Sequence, residues 1–192
     1  MHLTQIKLAH FKNYSELKAS FSSQFNAFVG KNGMGKTNLL DAIYYLAFGK
    51  SHFRIPDNQL MQKGASFFRL ESSFQISEKT TEIIIKVSPK KQKVIEKDGK
   101  KYKRLSDHIG TIPVVMIAPD DTLIGTGGSE DRRRLMDETI CQVDKNYLTK
   151  LNAYNKLIKQ RNAALKMLAK NQRWDENLIA SFDEQLVGPA LV

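Results

Sequence analysis

Cysteine is almost missing from the sequence: Cys141 is the only one in 192 residues. That excludes an internal disulfide framework and fits a reducing, cytoplasmic compartment. Histidine is scarce too. His2, His10, His52 and His108 are scattered and form no ligand-spaced cluster with the lone thiol, so no structural metal centre is expected. Long apolar runs are missing. The longest nearly apolar stretch, residues 112–118, is far too short to span a bilayer, and no membrane association is expected. The first twenty residues carry His2, Lys7, His10, Lys12 and Lys18 with no apolar core, so no secretory leader is expected. Internal repeats and low-complexity tracts are also lacking. Acidic residues are in deficit, 20 against 30 basic ones, which leaves a net charge of +10.

What is present is 41% hydrophobic residues, enough for a sizeable core in one domain or slightly more. The positive charge is concentrated. Residues 86–104 hold nine basic side chains against Glu96 and Asp98, and residues 144–173 hold eight against Asp144 alone. Each segment nets +7 and the other 143 residues sum to −4, so two segments make the chain basic. Two such segments point to a polyanion, with nucleic acid as the leading class. Lys90, Lys91, Lys93, Lys100, Lys101 and Lys103 are the candidate contacts in the first segment. Solvated faces that keep the protein soluble are the plain alternative.

Alternating apolar residues predict a strand over residues 2–10. A second strand over 16–21 follows across a turn at Lys12, Asn13 and Tyr14. Residues 26–29 read as a short apolar strand. A glycine-rich loop follows, then a helix from Lys36 to about Phe48 ended by Gly49. Residues 67–103 read as a β-meander in which Asp98-Gly99 forms a two-residue hairpin turn. Residues 113–117 read as a buried strand, and Gly125, Gly127 and Gly128 as the loop behind it. Ser129 is the expected N-cap of a helix to about Gln142. A longer helix over 145–170 carries an apolar stripe, to be covered by a partner stripe of Trp174, Leu178, Phe182 and Leu186. The expected division is a lobe over 1–125 and a helical part over 126–192.

The chemistry rests on Gly30-Lys31-Asn32-Gly33-Met34-Gly35-Lys36-Thr37, which fits G-x-x-x-x-G-K-[ST]. Glycines let the backbone curl until successive N–H groups face a phosphate. Lys36 supplies a charge to the β- and γ-phosphates, Thr37 a hydroxyl to Mg²⁺, and the helix its positive end. The strand and helix expected on either side match the setting such a loop requires. Hydrolysis also needs a carboxylate after a buried strand. Here only Asp120 and Asp121 qualify, to hold the metal through water, but Pro119 separates them from the strand and the plainer reading is that they are loop residues. Arg132, Arg133 and Arg134 could reach phosphate or DNA, or lie on a solvated helix face.

Several segments together resemble the RecF family of bacterial recombinational repair ATPases. The first is Ile6-Lys7-Leu8-Ala9-His10-Phe11-Lys12-Asn13-Tyr14, followed by the loop and by Asn38-Leu39-Leu40-Asp41-Ala42-Ile43-Tyr44. Lys50-Ser51-His52-Phe53-Arg54 is similar to that family's K-S-F-R segment with a histidine inserted. Pro119-Asp120-Asp121 and Arg132-Arg133-Arg134-Leu135-Met136-Asp137 are similar to its S-P-x-D and R-R-x-F-L-D stretches, with Ala118 where Ser is usual. Tyr154 with Lys159-Gln160-Arg161-Asn162 resembles its Y…K-Q-R-N helix. The resemblance implies an α/β fold, a P-loop NTPase of the ABC/SMC head type with an antiparallel meander and a helical arm. It implies ATP and Mg²⁺ as cofactors, and Lys12 and Asn13 near the adenine or ribose, though a plain surface turn or a DNA contact at Lys12 stays open. It also implies ATP-dependent dimerisation, slow DNA-dependent ATP hydrolysis, binding at single-strand/double-strand junctions, and RecO and RecR as partners.

RecF chains continue roughly as far again and carry their signature serine and Walker-B aspartate in that further part. An N-terminal fragment with weak nucleotide binding and inefficient turnover is therefore expected. Two other readings remain open: an ABC/SMC-like head without a DNA role, and a nucleic-acid-binding module with a vestigial loop.

Overall fold

A computed structural model describes residues 1–89, 91–122 and 128–191. The chain forms two compact units, Met1–Ile117 and Ala118–Val192.

The first unit is built on one six-stranded antiparallel sheet of order β2-β1-β3-β4-β5-β6. Its strands are β1 (His2–Phe11), β2 (Tyr14–Ser20), β3 (Phe68–Ile76), β4 (Lys79–Ser88), β5 (Lys91–Lys97) and β6 (Lys100–Lys101). The hairpin at the N-terminus and the meander therefore share a sheet, joined where Leu8 stands opposite Leu70. Period-two patterning turns Ile6, Leu8, Phe68, Leu70, Phe74, Ile83, Ile85 and Ile95 to the buried face. Helix α1 (Lys36–Phe48) supplies Leu39, Ala42, Tyr45 and Leu46 to the same core. Phe11, Tyr45 and Phe68 meet edge-on at centroid distances of 5.4–6.1 Å. Asp98 and Gly99 take φ of 50° and 74°, as a two-residue hairpin turn requires. Two short helices, α2 (Asp57–Leu60) and α3 (Leu105–His108), complete the unit.

Two expected strands do not form. Residues 26–29 and 113–117 form no regular element, and neither joins the sheet. Val29, Val115 and Ile117 are 90%, 78% and 84% exposed, so the second segment is not buried either. A strand needs a neighbour for its N–H and C=O groups. Among the described residues the six strands satisfy one another and none flanks these two segments.

The second unit holds α4 (Ser129–Val143), α5 (Lys145–Lys170) and α6 (Glu176–Ala190). Gly128, not Ser129, occupies the N-cap of α4, and no side chain caps it. Asp144 caps α5 by accepting from the N–H groups of Asn146 and Tyr147 at 2.8 and 3.0 Å. Asp175 caps α6 through the Leu178 N–H at 2.9 Å. That cap starts the helix after Trp174, which stays exposed and takes no part in the stripe expected of it. Leu168 and Ile179 are buried, and Arg161 reaches Asp183 at 2.6 Å. Among the described residues no helix is long and apolar enough to cross a membrane.

Candidate nucleotide-binding site

The loop of residues 30–35 leads into α1 with Gly35 at the N-cap. Gly30, Gly33 and Gly35 take φ of 149°, 82° and 102°, conformations that side chains oppose. A Cβ on Gly30 or Gly33 would meet nothing within 4 Å. Gly35 is the tight position: a Cβ there would stand 2.6 Å from Asn13 Nδ2 and 2.9 Å from the Tyr14 hydroxyl oxygen. The Lys36 ammonium donates to the carbonyls of Gly30 and Lys31 at 2.7 and 2.9 Å, which curls the lysine over the loop. Lys31, Asn32, Met34 and Thr37 are exposed. The first turn of α1 carries no acidic residue, so nothing there competes with an anion for the free N–H groups.

The turn between β1 and β2 packs against this loop. Tyr14 donates its hydroxyl to the Gly35 carbonyl at 3.0 Å, and burial raises its pKa. Asn13 donates to the Met34 carbonyl at 3.4 Å and accepts from Asn38 at 2.7 Å. Lys12 points elsewhere, with its ammonium 2.6 Å from the carboxylate of Asp41. Sequence reasoning gave Asp41 no role beyond the resemblance, yet it is fully buried and also accepts from Ser51 and from the His52 N–H. An acid within the apolar pattern of a helix was the signal available.

The candidate DNA contacts divide. Lys93 is engaged: its ammonium donates to the Gly49 carbonyl at 2.5 Å, pairs with Asp57 at 2.8 Å and lies 5.1 Å from the Tyr45 ring centroid. The Asp57 carboxylate in turn accepts from the Tyr45 hydroxyl, and burial, followed by that charge, drives the phenol pKa well up. Lys100, Lys101 and Lys103 are exposed at the β5–β6 hairpin, beside exposed Arg104, which the sequence reading passed over. Lys90 lies outside the described residues, as does the side chain of Lys91. In the helical unit Arg132 and Arg133 are exposed, whereas Arg134 lies 3.8 Å from Asp131. Asp121 accepts from the Ala118 N–H at 2.6 Å within a 3₁₀ turn, Pro119–Thr122. The side chain of Asp120 and the glycines at 125 and 127 lie outside the described residues.

Residues 2–119 match the family described as RecF/RecN/SMC N terminal domain. The DNA replication and repair protein RecF of Flavobacterium johnsoniae is 44% identical over 186 residues, covering 97% of this chain and 52% of its own length. That of Phocaeicola vulgatus is 41% identical over 187 residues, 97% of this chain and 50% of its own. Thus the chain spans about half the length of the curated relatives it matches. A solved structure of the recombination mediator protein RecF-ATPrS in the RecFOR pathway superposes with a TM-score of 0.90 at 30% identity, over 98% of this chain and 51% of that one. An SMC ATPase structure shares the fold at 24% identity, with a TM-score of 0.59 over 72% of this chain and 99% of that one. The glycine-rich loop and the strand pair packed against it thus lie within a matched segment that covers most of the first unit, and the chain belongs to the RecF/RecN/SMC N-terminal domain family, in which it corresponds to the N-terminal part of RecF.

Proposed function

We propose that this chain is the nucleotide-binding part of an ATP- and DNA-binding recombinational repair protein of the RecF type. The observation that carries this is the loop itself. Three positive-φ glycines, an inward lysine and a helix start free of acid make a cradle for phosphate. The similarity to DNA replication and repair proteins, and at 30% identity to the solved recombination mediator protein RecF-ATP, supports the same reading.

Residues 30–37 hold the phosphates, with Lys36 turning from its loop carbonyls toward the β- and γ-phosphates. Thr37 is exposed and offers one oxygen to Mg²⁺. Among the described residues no cluster of three or more acidic, His or Cys side chains could hold a metal, so the ion would arrive with the nucleotide. Asn13 lines the base or ribose side, with Lys12 behind it. Lys100, Lys101, Lys103 and Arg104 contact DNA phosphates in the first unit; in the helical unit, taken by itself, Arg132 and Arg133 are the candidates. Such contacts read backbone and junction shape, not sequence. ATP-dependent pairing with a second copy, RecO- and RecR-type partners and a cytoplasmic setting belong to the same proposal. So does the pairing of residues 26–29 and 113–117 with strands from the remaining length seen in the relatives.

Fluorescence anisotropy with a gapped duplex, read with and without MgATP across a salt series, tests this. Affinity that falls steeply with salt, ignores sequence shuffling and responds to MgATP is expected. Binding that is absent at low salt would favour an ABC/SMC-like head without a DNA role.

A further inference from the structure

We propose that Asp41 is a positioning residue of the phosphate loop, acting through Lys12 on Asn13 and so on Gly35 and Met34. Its carboxylate is wholly buried on α1 and gathers three donors from two other stretches of chain. Lys12 comes from the β1–β2 turn at 2.6 Å. The Ser51 hydroxyl and the His52 N–H come from the segment after α1, both at 2.8 Å. A buried carboxylate demands such partners, and each is held in place by the demand.

The turn it holds is costly on its own. Lys12 sits at φ 52°, in the left-handed region, as the first of the two residues turning β1 into β2, a conformation that costs a residue with a Cβ. Contacts beyond the turn help to hold it: the ion pair with Asp41, the Lys12 N–H donating to the Leu60 carbonyl at 2.6 Å, and the ammonium over the Phe53 ring at 5.2 Å from its centroid. The next residue, Asn13, touches the loop at Met34 and α1 at Asn38, and it fills the space a Cβ on Gly35 would need. Asp41 therefore fixes the position of the side chain that closes one side of the loop, although it touches no exposed surface itself. As a statement about nucleotide affinity this rests on the reading above. As a statement about the loop it does not.

The test uses hydrogen exchange of the full chain without nucleotide, in the wild type, Asp41→Asn, Lys12→Met and the Lys12→Met/Asp41→Asn pair. Lys12→Met alone leaves a buried carboxylate unmatched and lowers the melting temperature. The pair removes both charges and recovers much of that loss. The Leu39 amide, which donates to the loop carbonyl of Gly35 at 3.0 Å, is expected to exchange about tenfold faster in the pair as in the single variants, while β3 and β4 keep their protection. A purely structural role predicts that loop protection recovers together with the melting temperature, and that result overturns the proposal. MgATP titration of the same proteins separates the two ideas. Loop protection that depends on Asp41 in a chain that does not bind MgATP upholds the positioning and rejects the nucleotide reading. Wild-type MgATP binding with unaltered protection and affinity in all variants rejects the positioning alone.

Discussion

A Cβ on Gly35 would stand 2.6 Å from the side-chain nitrogen of Asn13, closer than any real contact allows. The β1–β2 turn and the phosphate loop are thus fitted to each other at one glycine, which is also held at φ 102°. Gly35→Ala would meet both obstacles. The backbone conformation alone costs about 1–3 kcal/mol. The variant is expected to melt earlier and to lose MgATP binding by more than tenfold, roughly 1.4 kcal/mol or beyond. Thermal melting and calorimetry check both effects. Gly33→Ala, with open space around its Cβ but φ 82°, should suffer only the backbone strain.

Lys93 and its neighbours in the basic segment should behave in opposite ways. Lys93→Ala removes partners from the Gly49 carbonyl and the Asp57 carboxylate. It should lower stability by about 1–3 kcal/mol and leave DNA affinity at matched folded fraction unchanged. Charge reversal of Lys100, Lys101, Lys103 and Arg104 should leave the melting temperature nearly constant, since surface changes rarely exceed about 0.5 kcal/mol each. DNA affinity should drop, and the slope of log affinity against log salt should shrink by about 0.9 for every phosphate no longer neutralised. Equal effects from both sets would contradict this division.

Much of this was legible in the sequence where the signal is local. The loop motif, the extent of α1, the Gly49 cap and the Asp98-Gly99 turn follow from residue types whose backbone demands are strong. Period-two patterning also marked the strands of the meander. What failed depends on partners distant in sequence. Residues 26–29 and 113–117 have strand composition, but composition cannot supply a neighbouring strand. Trp174 has the right spacing for the stripe of α6, but Asp175 sets the start of the helix after it. The role of Asp41 was hidden for the same reason. Its donors come from positions 12, 51 and 52, and no spacing rule links them.

Alkaline pH should loosen the helical unit at one identifiable place. The Tyr147 hydroxyl donates to Asp137 at 2.6 Å, and that hydrogen bond, with burial and the aspartate charge behind it, pushes the phenol up to about 12 from 10.0. A pKa raised in the folded state gives stability that is whole below the unfolded value and lost as pH rises through the folded one. Its contribution should therefore be complete below pH 10.0 and vanish toward about 12. Tyr147→Phe should show a shallower loss of stability over that interval, measured by chemical denaturation at fixed pH. An ultraviolet titration should show one fewer late-ionising phenol in Tyr147→Phe than in the wild type, in which burial holds Tyr45 and Tyr14 up as well.

The exposed apolar side chains of Val115 and Ile117 should govern solubility and not folding. Both stand outside the sheet, so Val115→Lys with Ile117→Lys should change stability by no more than about 0.5 kcal/mol per site. The concentration at which light scattering reports association should rise, because two exposed apolar side chains side by side on one segment make a sticking surface. A large fall in melting temperature would mean that these residues are packed in solution.

The central claim is that residues 30–37 bind nucleotide phosphates, and calorimetric titration of MgATP into this chain tests it most directly, with Lys36→Ala as the comparison. The wild type should bind saturably, and that binding should disappear when the ammonium is removed. Binding of equal strength in both proteins, or none by a folded wild type, would contradict it.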